Sequence, residues 1–280
     1  MSAILNSGEN EMPPLCGPQG GANPHRCATH RRLRLVTRAR LGNDTWRLVR
    51  TRSLTLFHLA RNRGVVIMTI NIGSTAPNFV QNSTLGPIDF YEWSAQSWVV
   101  LFSHPKNFTP VCTTEIGSAA ALQEQFSARG AKVMGLTVDS AGSHGDWIAD
   151  INRIYNTDVR FPILIDNDRK VARLYGMLPN NADDAVTVRS VFIIDPQKKV
   201  RLTLTYPHEV GRNFNELLRA FDALRAAEDH QLAAPANWQI GEELVIPTRI
   251  QDPEELSQLF PDGYRTVTPY LRFTRPAVRG

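Results

Sequence analysis

Cys112 is the residue in this sequence best placed for chemistry. It lies in Ser103-His104-Pro105-Lys106-Asn107-Phe108-Thr109-Pro110-Val111-Cys112-Thr113-Thr114-Glu115. The apolar run Trp98–Phe102 precedes that string and reads as a buried strand, and a helical pattern follows it. A thiol at a strand-to-helix junction meets free backbone N–H groups and the positive end of a helix dipole, and both stabilise a thiolate. The thiolate is the nucleophile, so the position suits sulfur chemistry. An arginine brought in from elsewhere would help. Arg189 is the candidate, because it opens the apolar strand Ser190–Ile194, where an unpaired charge is costly. Taken alone, that arginine reads more simply as a strand end in solvent. Thr109, three residues before Cys112, can turn its hydroxyl into the same pocket. Pro105 and Pro110 stiffen the loop and shield it from water.

The elements that must hold these residues can be read on both sides. Residues 110–129 have helical spacing in Ile116, Ala120, Leu122 and Phe126, with Pro110 in the first turn and Gly130 at the end. A strand at 132–138 and a helix at 144–156 follow, then a strand at 161–165 and a short helix at 169–175. Residues 190–195 and 200–206 read as two strands joined by the turn Pro196–Lys199. Helix 213–229 presents Phe214, Leu217, Leu218, Phe221 and Leu224 on one face. Upstream, Thr75–Phe79 opens the globular text and Gly86–Phe90 reads as a strand or hairpin end. The expected class is α/β, a mixed sheet covered by helices. Residues 231–280 are Pro-rich, with short extended pieces and one helix at 253–260. This arm is expected to make hardly any core of its own and to pack on the body or on a second subunit.

Composition bounds the reading. At 42% hydrophobic, the 280 residues can build a sizeable core, and no apolar run is long enough to span a bilayer, so a soluble protein is expected. Three cysteines (Cys16, Cys27, Cys112) are too few for a disulfide framework and fit a reducing compartment. The net charge of +4 is unevenly spread: residues 1–67 hold eleven arginines, no lysine and three acids, a balance of +8, which leaves the remainder at −4. The basic balance belongs to the leader and does not argue for nucleic-acid binding by the body. The leader, broken by Pro13-Pro14, Gly17-Pro18 and Gly20-Gly21, reads either as an organelle-targeting segment or as a disordered tail, or as a segment upstream of a true start at Met68. The second group of readings is adopted, with the cytoplasm as the expected compartment. The organisation is thus a leader (1–67), a catalytic domain (68–230) and an arm (231–280).

The string Pro105-x-x-x-Thr109-x-x-Cys112 resembles the peroxiredoxin active-site motif. Phe102–Glu115, Thr187–Phe192, Gly211–Phe214 and Tyr270–Thr274 are similar to the one-cysteine branch, the peroxiredoxin 6 subfamily of the AhpC/TSA family. The similarity runs from about Thr69 to the C-terminus, and residues 1–67 have no counterpart.

The resemblance implies a thioredoxin-like fold with a C-terminal dimerisation arm, and a homodimer or larger homo-oligomer. It implies a thiol peroxidase with antioxidant activity. Cys112 would be the peroxidatic cysteine, Thr109 would hold the peroxide, Arg189 would polarise it, and Pro105 would shape the pocket. Glu115 would orient arginines, with His104 and Arg212 as accessory residues. The substrates would be hydrogen peroxide and organic hydroperoxides. No metal, flavin or nucleotide is required, and the chain carries no glycine-rich phosphate loop.

A Cys-x-x-Cys pair would put its second thiol at position 115, which holds Glu115, and no cysteine follows Cys112. An external reductant is therefore expected, glutathione or another small thiol or thiol protein. The phospholipase activity associated with mammalian relatives is not expected. Ser97 lacks the flanking glycines of a nucleophile elbow, and Tyr91 and Gln197 stand where its histidine and aspartate would be. A holdase chaperone or a peroxide sensor using Cys112 is the competing reading.

Overall fold

The computed structural model describes residues 70–179 and 186–275, so the leader lies outside the described residues. A short hairpin comes first, β1 (Val80–Ser83) and β2 (Gly86–Asp89). Only its second half was legible, because β1 is short and mostly polar. Gly86 at φ 98° permits the turn. Asp89 then caps α1 (Phe90–Ser94), accepting from the N–H groups of Tyr91 and Glu92.

The central elements follow the expected order with small boundary shifts. They are β3 (Trp98–Ser103), α2 (Pro110–Ala128), β4 (Ala131–Thr137), α3 (His144–Tyr155), β5 (Ile163–Ile165), α4 (Lys170–Leu174), β6 (Arg189–Ile194), β7 (Val200–Tyr206) and α5 (Phe214–His230). Seven strands form one mixed sheet in the order β2-β1-β5-β4-β3-β6-β7. β3 runs parallel to β4, and β4 to β5, whereas β6 lies antiparallel to β3.

Both faces of the sheet are covered, which is why Trp98–Phe102 of β3 and Val191–Ile194 of β6 are continuous apolar runs rather than alternating with polar residues. Trp98, Val100 and Phe102 face one core with Ile116 and Phe126 of α2, Trp147 of α3 and Phe221 of α5. Val99 and Leu101 face the other with Phe90 of α1 and Val171 and Ala172 of α4. β3 and β6 are neighbours, so α2, which follows β3, begins beside the start of β6.

Close packing fixes the far side of α2. A methyl group at Gly117 would lie 2.5–2.8 Å from three ring carbons of Tyr155 on α3. Tyr155 is 39% exposed, so its ring can swing outward but then loses its packing. Gly117→Ala is expected to destabilise the fold by about 1–2 kcal/mol, read as a lower urea midpoint.

The C-terminal region contains β8 (Leu244–Val245), α6 (Pro253–Leu259), β9 (Arg265–Thr268) and β10 (Leu271–Thr274), with a second sheet ordered β8-β10-β9. This region packs on the body, at α5, but it carries more core than the sequence leads one to expect. Leu232, Trp238, Leu244, Ile246, Ile250 and Leu256 form a buried cluster, closed by Ala223 and Ala226 of α5. The prolines break long elements without preventing a few apolar side chains from converging on the helix.

Candidate active site

α2 begins at the N-cap Thr109, which is in extended conformation, with Pro110 at its first position. Proline suits that place because the N–H it lacks would have no helical partner. Cys112 lies in this first turn and is fully buried. The turn before it is held in a costly shape, with Phe108 at φ 54°, a left-handed conformation rare for an aromatic residue. Asn107 pins the loop from three sides. Its N–H donates to Asp139 Oδ2 at 2.5 Å, its Nδ2 donates to Ser143 Oγ at 2.9 Å, and its Oδ1 lies 2.9 Å from His104 Nε2. Trp147 Nε1 donates to Thr113 Oγ1 at 3.0 Å, tying α3 to the cysteine-bearing turn.

The strand β6 brings Arg189 to the sulfur. Its Nη1 lies 3.4 Å from Cys112 Sγ and 2.6 Å from Glu115 Oε2. Nε and Nη2 of Arg189 donate to the carbonyl of His208, at 3.0 and 2.6 Å. Glu115 is the hub. Arg212 donates to it through its backbone N–H at 2.9 Å and through Nε and Nη2, each at 2.8 Å. Arg212 Nη1 also donates to the carbonyl of Ser190 at 2.9 Å, and its guanidinium lies over Phe102 and Phe214.

All three charged side chains are buried, which is affordable only because each is paired. Burial pushes the Glu115 carboxyl up, but the bonds and charge of Arg212, with Arg189 behind them, outweigh it and hold the group below the ordinary carboxylate range. Two guanidiniums and one carboxylate leave a single positive charge, so the cluster is balanced when Cys112 carries a negative one.

Of the residues expected at the site, Arg189 contacts the sulfur, Glu115 and Arg212 join it through Arg189, and Pro105, Thr109 and His104 belong to the loop that leads into α2. Pro105 is buried in the loop and Thr109 is half-buried, its hydroxyl donating to the carbonyl of Lys106 at 2.8 Å. With that hydrogen engaged, Thr109 Oγ1 is left as an acceptor. His104 bonds within the loop, to Asn107, and makes no hydrogen bond to the sulfur. Sequence reasoning missed Asn107, Asp139, Ser143 and the loop role of Trp147. In the sequence Trp147 reads only as part of an apolar helix face, and nothing in the spacing joins residues some thirty positions apart. Around the serine excluded as a nucleophile, Ser97 N–H bonds the carbonyl of Ser94 at 2.8 Å, and Tyr91 donates its hydroxyl to the carbonyl of Ala76 at 2.7 Å.

His104 has a consequence for pH. Ser143 donates its own hydroxyl to Ser140, so it accepts from Asn107 Nδ2, which leaves Asn107 Oδ1 to accept from His104 Nε2. The bare Nδ1 is buried without a partner. Burial therefore lowers the imidazole from 6.5 to about 4. A histidine lowered in the folded state binds its proton more readily when unfolded. Its contribution is complete above pH 6.5 and is lost as pH falls towards 4, by up to about 3 kcal/mol. Urea midpoints measured between those pH values should fall with acidity, and His104→Leu should flatten the dependence.

Comparison with known proteins agrees with this geometry. The AhpC/TSA family pattern matches residues 72–203. The 1-Cys peroxiredoxin of Dictyostelium discoideum is 42% identical over 205 residues, covering 73% of this chain and 85% of that protein. Peroxiredoxin-6 of Rattus norvegicus is 44% identical over 218 residues, covering 72% and 96%. A solved structure of the yeast mitochondrial 1-Cys peroxiredoxin, concerned with its thiol resolution via glutathione/thioredoxin systems, superposes with a TM-score of 0.70 at 44% identity, over 74% of this chain and all of that one. A buried cysteine in the first turn of a helix, an arginine on its sulfur and relatives of this closeness lead to one assignment: the chain belongs to the AhpC/TSA family, in its one-cysteine peroxiredoxin branch.

Proposed function

We propose that this protein reduces hydrogen peroxide and organic hydroperoxides through Cys112, with an external thiol as reductant. The observation that carries the reading is Arg189 Nη1 at 3.4 Å from Cys112 Sγ, held there by Glu115. The Cys112 thiolate attacks the terminal oxygen of the hydroperoxide and the O–O bond breaks. The sulfur is oxidised by two electrons and keeps the attacked oxygen with its hydrogen as sulfenic acid, while the departing hydroxide or alkoxide takes up the proton that the thiol had released to solvent and leaves as water or an alcohol. Arg189 stabilises the negative charge that passes from sulfur to the departing oxygen. Thr109 Oγ1, whose hydrogen is engaged by Lys106, accepts from the peroxide O–H and orients it. Pro105 walls the pocket and keeps water from competing. Glu115 and Arg212 position Arg189 rather than touching substrate, and His104 braces the loop.

The sulfur is fully buried, so a thiol protein reaches the sulfenic acid only after the first turn of α2 opens, whereas a small thiol needs less opening. Glutathione or a thiol protein is the proposed reductant, as in the glutathione/thioredoxin systems that the yeast structure addresses. One equivalent of hydrogen peroxide followed by dimedone should place the adduct on the Cys112 peptide in a mass spectrum. An unlabelled Cys112 in peroxide-treated protein would contradict the mechanism. Steady-state peroxide consumption with glutathione, with thioredoxin and with dithiothreitol then ranks the reductants.

The proposed organisation is a catalytic domain at 68–230 and an arm at 231–280 that contacts a second copy. Support comes from apolar residues left exposed there, Ile240, Leu259 and Val267. Sedimentation velocity should show a dimer or larger species. No helix among the described residues is long and apolar enough to cross a membrane. The proposed compartment is the cytoplasm, and mass spectrometry of the native N-terminus with cell fractionation tests it against organelle targeting by residues 1–67.

A further inference from the structure

Arg272 is a buried charge for which the described residues supply no counter-ion. It lies on β10 and is 6% exposed. A guanidinium carries five N–H donors and stays protonated. One hydrogen bond is formed, from Nη2 to the carbonyl of Ile250 at 2.5 Å, and Nε is buried without a partner. Arg272 makes no ion pair among the described residues, whereas Arg189 and Arg212, equally buried, share Glu115. An isolated buried charge is expensive, so a neutralising group is expected.

Two further observations place such a group. Arg272 lines a cleft of about 350 Å³ with Thr248, Gln251, Pro269 and Tyr270. None of these residues is acidic, so the cleft has one charge, and it is positive.

We infer that this cleft binds a small oxyanion, a carboxylate or phosphate group, on the Arg272 guanidinium. The planar fork suits two oxygens of one group. The site is built by the C-terminal sheet and uses none of the residues assigned to peroxide chemistry.

Calorimetric titration of the full chain with sodium phosphate should show saturable binding, and phosphate should raise the melting temperature above that in sodium chloride of equal ionic strength. Sodium acetate, run in parallel, tells a carboxylate ligand from a phosphate one. Arg272→Lys keeps the charge but loses the fork and should weaken binding about tenfold. Arg272→Met should abolish it, while both variants keep peroxide consumption, which also reports that they fold. If neither anion binds the unmodified protein and both melt it as chloride does, the inference is overturned whatever the variants do. It is likewise overturned if no anion binds and Arg272→Met dissociates a dimer, because a carboxylate of a second copy then holds the guanidinium.

Discussion

Cys112→Ser abolishes peroxide consumption, by on the order of 10³-fold or more relative to the unaltered protein. A serine hydroxyl is far less nucleophilic than a thiolate, and an alkoxide cannot be carried through the sulfenic acid step, so no slower version of the same cycle remains. The substitution is nearly isosteric at a fully buried position, so the fold should persist. Consumption of hydrogen peroxide with dithiothreitol as reductant, followed at 240 nm beside far-UV circular dichroism, makes the measurement. A variant that folds and still turns over at the native rate would sink the peroxidase reading and leave the chaperone role as the better account.

The second large effect is expected at Glu115, and it is one of stability and activity together. Its carboxylate accepts from Arg189 once and from Arg212 three times, with side-chain exposure of 1% against 4% and 0% for the arginines. Glu115→Gln leaves two guanidiniums buried against each other without an anion. Removing one partner of such a cluster costs about 3–5 kcal/mol, because the charges left behind stay desolvated. Activity should fall as well, since Arg189 Nη1 loses the bond that aims it at the sulfur. Glu115→Asp keeps the charge on a shorter arm and should recover part of the stability. The urea midpoint separates the two effects from each other, and peroxide kinetics at low denaturant measure the second. Unchanged stability in Glu115→Gln would mean that solvent reaches the cluster and that its burial is not realised in solution. The pH dependence has the same origin. A carboxylate held low in the folded state contributes its stability above its unfolded value and loses it as pH falls through the folded one, so Glu115 adds to the acid sensitivity expected of His104.

Much of this architecture was legible beforehand for simple reasons. Trp98–Phe102 of β3 and Val191–Ile194 of β6 are continuous apolar runs because both faces of the sheet are covered, and such runs bounded by polar or charged residues are hard to misread. α2 announced itself through Pro110 at its start and Gly130 at φ 74° after its end. The short polar strand β1 did not, since its pairing depends on β5 and β2 rather than on its own residues. The core of the C-terminal region is not legible in the sequence because its six buried apolar residues are scattered across 232–256, and only folding brings them onto α5.

The chemistry divides the same way. By itself the sequence determined that Cys112 is a thiol in the first turn of a helix, that an arginine opens a buried strand elsewhere, and that a second cysteine is missing where a resolving one would stand. Those are local facts of residue type and neighbour. The tertiary structure alone decided which groups share the pocket. Cys112 and Arg189 are 77 positions apart, and Glu115 and Arg212 are 97 apart. They meet because β3 and β6 are hydrogen-bonded neighbours, so that the helix after one strand begins beside the first residue of the other. Burial then gives the contact its force, since charges that water would screen must find one another when the sheet and helices exclude it.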